Sequence, residues 1–117
     1  MARLPKRMVG PVAVSNVSAT LYTAPSYIPT TLTSVVRHIH IQNPSASPVT
    51  FTLSIGADAA GTRIFDAFSI PAAGAGITGS VVDYFCHYVL TSGQTLVGVA
   101  GTNNILTVTI NGEENVG

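Results

Sequence analysis

The chain has 117 residues, five basic and five acidic, so its formal net charge is zero and charged residues make up only 9% of it. That length supports one domain around one core, and the charge balance excludes a nucleic-acid binder held by a broad basic surface. Soluble proteins carry about 25% charged residues; here Thr, Ser, Gly, Asn and Ala take their place, which suits a subunit whose surface is mostly covered by partners, with a poorly soluble monomer as the alternative.

Residues 1–10, MARLPKRMVG, hold Arg3, Lys6 and Arg7. Pro5 disfavours a helix, so an extended basic arm is expected ahead of a single domain over residues 11–117. It would grip a neighbouring subunit or an acidic surface, with a solvated tail as the alternative. Basic residues followed by an apolar patch faintly resemble a secretory signal, but Pro5, Pro11 and Asn16 interrupt it and no signal is assigned. Apolar runs end well short of the ~18 residues of a spanning helix, so no membrane span is expected.

Strands are expected over Val12–Val14 and Ser18–Thr23, and a proline-bearing loop over Ala24–Thr33. Val35–Gly56, VVRHIHIQNPSASPVTFTLSIG, is two period-2 runs around the turn Asn43–Pro48. It reads as a hairpin with Val35, Ile39 and Ile41 on one buried face, joined by Val49, Phe51, Leu53 and Ile55. Pairing Ile41 with Val49 places Ile39 opposite Phe51, Arg37 opposite Leu53 and Val35 opposite Ile55. The other face, with His38, His40 and Gln42 beside Thr50 and Thr52, is polar and nearly uncharged. It is the candidate contact face, because such a surface docks without desolvating charges.

Arg63–Ile70 is the next strand, with Ile64, Phe68 and Ile70 on one side. A glycine-rich loop, Pro71–Gly79, leads to Val81–Leu90, which is apolar on both faces and reads as a central or interface strand. Thr95–Val99 and Ile105–Ile110 complete the set, before an Asn111-Gly112-Glu113-Glu114 tail. Seven or eight short strands with regular turn signals predict an all-β chain, a single antiparallel sandwich or jelly roll.

Strict alternation puts Arg37 on the buried side of its strand and Asp66 on that of its own. A buried guanidinium needs a carboxylate, so a structural Arg37–Asp66 ion pair is expected, with Asp83 as the competing partner; a bulge that turns Arg37 outwards is the alternative. His38 and His40 point to the same side of their strand, and His87 is a conceivable third ligand. No carboxylate lies near them in sequence, so no metal site is assigned. Cys86 lies in an apolar run and reads as a small core residue. No nucleophile elbow or phosphate loop occurs, so neither an enzyme nor a cofactor is expected.

LYTAPSYIPTTLTSVVRHIHIQN and SPVTFTLSIGADAAGTRIFDAFSIPAAG, within Leu21–Gly74, resemble a family of small structural proteins of tailed bacteriophages. The resemblance implies a β-sandwich subunit of a virion, made in the bacterial cytoplasm, without enzymatic activity. It would contact other virion proteins and copies of itself, a trimer among the options, with no specific nucleic acid and no membrane. A capsid decoration or cement protein is the leading reading and a minor tail protein the alternative. A carbohydrate-binding sandwich, with Tyr22, Tyr27, Tyr84 and Tyr88 as stacking surfaces, is a second alternative.

Overall fold

Alternation of Ile39, Ile41 and Asn43 with His38, His40 and Gln42 gives β3 (Leu32–Asn43) one side excluded from water and one polar side. The computed structural model describes residues 2–25, 32–72 and 80–116; Tyr27 and most of the glycine-rich loop fall outside them. The other strands are β1 (Ala2–Ala13), β2 (Ala19–Thr23), β4 (Val49–Ile55), β5 (Arg63–Ile70), β6 (Ser80–Thr91), β7 (Thr95–Ala100) and β8 (Thr107–Val116). They form two four-stranded antiparallel sheets, ordered β1-β8-β3-β6 and β2-β7-β4-β5. Every connection except β4–β5 passes from one sheet to the other, which winds the β-sandwich as a jelly roll.

The expected hairpin is therefore not a ladder. β3 lies between β8 and β6 in the first sheet, and β4 between β7 and β5 in the second. The turn after Asn43 is a corner between sheets, and the two apolar faces meet across the core instead of side by side. Buried Asn43 builds that corner. Its side-chain Nδ2 donates to the carbonyls of Ser47 (2.9 Å), Ile70 (3.1 Å) and Pro71 (3.1 Å), and its Oδ1 accepts from the Ser45 backbone N–H at 3.0 Å.

Between the sheets Ile39, Ile41, Phe51, Leu53, Ile70, Leu90, Leu96, Leu106 and Ile110 are fully excluded from solvent. Each such side chain contributes roughly 1.5–3 kcal/mol by burial, against about 0–1 kcal/mol for an exposed ion pair. The inter-sheet layer, not the few charges, holds the fold.

Three further expectations change. The basic arm is strand β1, paired with β8 from Ala2↔Val116 to Ala13↔Thr107. The Asn111–Glu114 tail is the second half of β8, held between β1 and β3. Val81–Leu90 belongs to β6, an edge strand and not a central one.

Candidate assembly surface

A bulge decides what the outer face of the first sheet displays. Val36 pairs with Gly112 and His38 with Asn111, so Arg37 is one residue too many on β3. Ser34 and Val36 point inwards before it, Ile39 and Ile41 after it, and Arg37 and His38 both point outwards. Val35, opposite exposed Val89, consequently lies on the outer side, away from Ile39 and Ile41.

β5 carries a second bulge. Phe51 pairs with Phe68 and Leu53 with Phe65, which leaves Asp66 and Ala67 opposite Thr52 alone. Ala67 takes a positive φ of 49°, and its N–H donates to Thr52 Oγ1 at 3.0 Å. Phe65 then joins Phe68 and Ile70 on the inner side, and Ile64, the extra residue at a further shift between Leu53↔Phe65 and Ser54↔Arg63, also packs against the core.

The Arg37–Asp66 pair does not form, because each residue sits at one of these bulges, in different sheets. Arg37 donates to Glu113 Oε1 at 2.7 Å and approaches His87 Nδ1 at 2.9 Å. Asp66 is 70% exposed and accepts from Arg63 at 3.1 Å. Asp83, the competing partner, is engaged by the histidines instead: its Oδ1 lies 2.8 Å from His38 Nε2 and 2.7 Å from His40 Nδ1. Those hydrogen bonds, His40 first, hold the Asp83 carboxyl below its ordinary value. His87 stands apart from that pair, beside Arg37.

The predicted contact face is divided by the corner. His38, His40 and Gln42 lie on the outer side of the first sheet, flanked by Phe85, Asp83 and Val81 of β6 and by Asn111, Thr109 and Thr107 of β8. Thr50 and Thr52 lie on the outer side of the second sheet. Of the docking-arm residues, Arg3 pairs with Asn115 and Arg7 with Asn111 in the β1–β8 ladder, while Lys6 Nζ lies 3.1 Å from Glu114 Oε2. The charge of Lys6 is thus spent within the chain.

Among the described residues, half of the exposed large hydrophobics lie on β6. Val81, Phe85 and Val89 recur every four residues on its outer side and are 49%, 77% and 48% exposed. The Phe85 ring stacks on His38 with centroids 4.6 Å apart. On the inner side β6 and β5, both sheet edges, part to leave an open groove of about 410 Å³ lined by Ile64, Phe65, Asp66, Phe68, Val82 and Tyr84. The rings of Phe65 and Tyr84 meet edge to face at 5.1 Å. A hydrogen bond with the Tyr84 hydroxyl, 3.1 Å away, and partial burial push the Tyr88 hydroxyl up to about 12. Cys86 is part-buried against the core, and that burial pushes its thiol up. Tyr22 is buried with its hydroxyl on Glu114, so it offers no stacking face.

Sequence reasoning missed Asp83 as the companion of the histidines, and Glu113 as the partner of Arg37. Both are set by strand neighbours that no local pattern reveals. The apolarity of both faces of VVDYFCHYVL suggested a central or interface strand; the strand is an edge one, with Val81, Phe85 and Val89 exposed.

No family model and no curated protein matches the sequence. In fold the chain is similar to chains in a structure of infectious bursal disease virus Gx strain (TM-score 0.45, 12% identity, 98% of this chain and 31% of that one). It is also similar to chains in the T13 particle of that virus (0.43, 14%, 98% and 30%) and in its Gt strain (0.39, 14%, 97% and 32%). The chain spans about a third of the length of these solved chains.

Proposed function

We propose that this chain is a non-enzymatic structural subunit of a virion, a capsid decoration or cement protein of a tailed bacteriophage, which binds neighbouring subunits through β6. The observation that carries the reading is the row Val81, Phe85 and Val89 on an edge strand whose far side has no partner among the described residues. An exposed apolar edge invites pairing with other chains unless charge, proline or a bulge protects it. The one charge on β6, Asp83, is occupied by two histidines. Scarcity of charge over the whole chain and the resemblance of Leu21–Gly74 to phage structural proteins support the same reading. Jelly rolls also serve in both capsids and lectins, so the fold leaves the choice to the surface, and this surface is aliphatic and aromatic rather than a polar sugar cleft.

The test is sedimentation of the purified protein alone and with phage heads, with tails and with intact particles. Self-association, as a trimer for instance, together with co-sedimentation with heads is expected. The variant Phe85→Asp should abolish both while leaving the chain folded by circular dichroism, with at most a modest drop in Tm from the lost stacking on His38. Binding to tails alone would replace the decoration reading with the minor tail protein. A monomer that binds neither, or that binds glycans and no particle, overturns the proposal.

A further inference from the structure

We propose that His38 Nε2, His40 Nδ1 and Asp83 Oδ1 form a site for a divalent transition-metal ion of the zinc type, on the outer face of the first sheet. The inference is independent of the assembly reading. Two imidazoles two residues apart on β3 project to the same side, and the ladder sets Asp83 of β6 opposite His40. The three ligand atoms all lie within 4.8 Å of one another. Both ring nitrogens already contact the same carboxylate oxygen, Asp83 Oδ1, at 2.8 and 2.7 Å.

A tetrahedral ion with bonds of about 2.0–2.1 Å needs ligand atoms roughly 3.3 Å apart. To reach that spacing the Asp83 contacts open by about 0.5 Å, and the two ring nitrogens, within 4.8 Å of each other, draw together as the ion takes its place among them. Two nitrogens and one carboxylate oxygen favour zinc-like ions over calcium or magnesium, which prefer all-oxygen shells. Three protein ligands leave a fourth position for water or for a group from a neighbouring molecule.

The surroundings hold the ligands in place. Phe85 stacks on the His38 ring with only 14° between planes, covering one side of it. Asn111 Nδ2 lies 3.3 Å from His38 Nδ1. Once Nε2 ligates a metal, Nδ1 carries the proton, and rotating the Asn111 amide presents its oxygen as the acceptor. That is the outer-shell contact that orients a ligating histidine. A bound ion would tie the edge strand β6 to β3 and stabilise the fold by mass action.

Titration calorimetry of the full chain with zinc chloride tests the site. One ion per chain is expected, with affinity at least tenfold weaker in His40→Gln and in Asp83→Asn. His87→Gln, which alters a histidine outside the cluster, should leave it unchanged. Cobalt(II) provides a measure that needs no variant. Intense visible bands of a four- or five-coordinate ion, without thiolate charge-transfer absorption from Cys86, support the site. Weak octahedral-type bands, binding that both variants leave within twofold, or equal weakening by His87→Gln would overturn it.

Discussion

Arg37 and Glu113 meet at 2.7 Å across the β3–β8 ladder because β3 carries one residue more than β8 at that level. The bulge that removes Arg37 from the core delivers it to a carboxylate that is itself only 11% exposed. Its own side chain is 45% exposed, so the pair is part-buried rather than a core ion pair. Arg37→Met should therefore cost roughly 1 kcal/mol, from weakened satisfaction of Glu113. Asp66→Asn, at a 70% exposed side chain, should stay within about 0.5 kcal/mol. Urea midpoints at unchanged m-value compare the two. A larger loss at Asp66 than at Arg37 would contradict the pairing described.

Tyr22 ties the sheets together with a polar contact inside the core. Its hydroxyl, carried by β2 of the second sheet, donates to Glu114 Oε2 of β8 at 2.5 Å and lies 3.0 Å from Ser34 Oγ of β3. Tyr22→Phe keeps the ring and removes the hydroxyl, so it measures the polar contact alone. With Glu114 and Ser34 both buried, the loss should be about 1–3 kcal/mol. Thermal unfolding should show Tm lower by several degrees. An unchanged Tm would mean that the contact contributes nothing net.

Acid should weaken the protein through Asp58. Arg63 Nε donates to Asp58 Oδ1 at 2.9 Å, and Ser18 and Ser54 add weaker hydrogen bonds. The guanidinium holds the Asp58 carboxyl below its ordinary 3.8 in the fold. A carboxyl depressed in the folded state contributes stability that is complete above its ordinary value and is lost as pH falls through the folded one. Asp83, held down by His40 and His38, acts in the same direction. Between about pH 4.5 and about pH 2.5 the urea midpoint of the wild-type protein should fall more steeply than that of Asp58→Asn. Parallel curves, or a steeper one for the variant, would refute the assignment.

How far the sequence spoke for the structure can be argued from β3 and β4. Period-2 alternation located both strands and named Ile39, Ile41, Phe51 and Leu53 as core, since alternation responds only to which side is dry. It did not say whether two adjacent strands pair or face each other. A corner and a hairpin turn draw on the same residues, and Asn43 distinguishes them only through its bonds to the end of β5. Alternation also assumes a regular ladder, so each bulge reverses the expected sides beyond it. That cost the Arg37–Asp66 pair and added Phe65 to Ile64 on the core side. The histidine cluster needed Asp83, more than forty residues further on, which no reading of β3 could supply.

Gly112 explains why the bulged level of the first sheet tolerates such close passage, and it gives the most demanding test of that geometry. On β8 it lies opposite Val36 of β3 and Lys6 of β1, at the level where Met8 and Arg37 are the extra residues of their strands. A Cβ there would press on the Val35 carbonyl oxygen well inside contact distance, and on Met8 Sδ at 2.8 Å. The thioether can move aside; the carbonyl is fixed by the ladder. Gly112→Ala should therefore destabilise by about 3 kcal/mol, the upper end of ordinary overpacking costs. Gly98→Ala, where the nearest atom is the flexible Leu21 Cδ1 at 2.7 Å, should cost less. Chemical unfolding of both variants gives the comparison. Equal losses, or a benign Gly112→Ala, would show that β8 does not pass beneath Val35 as described.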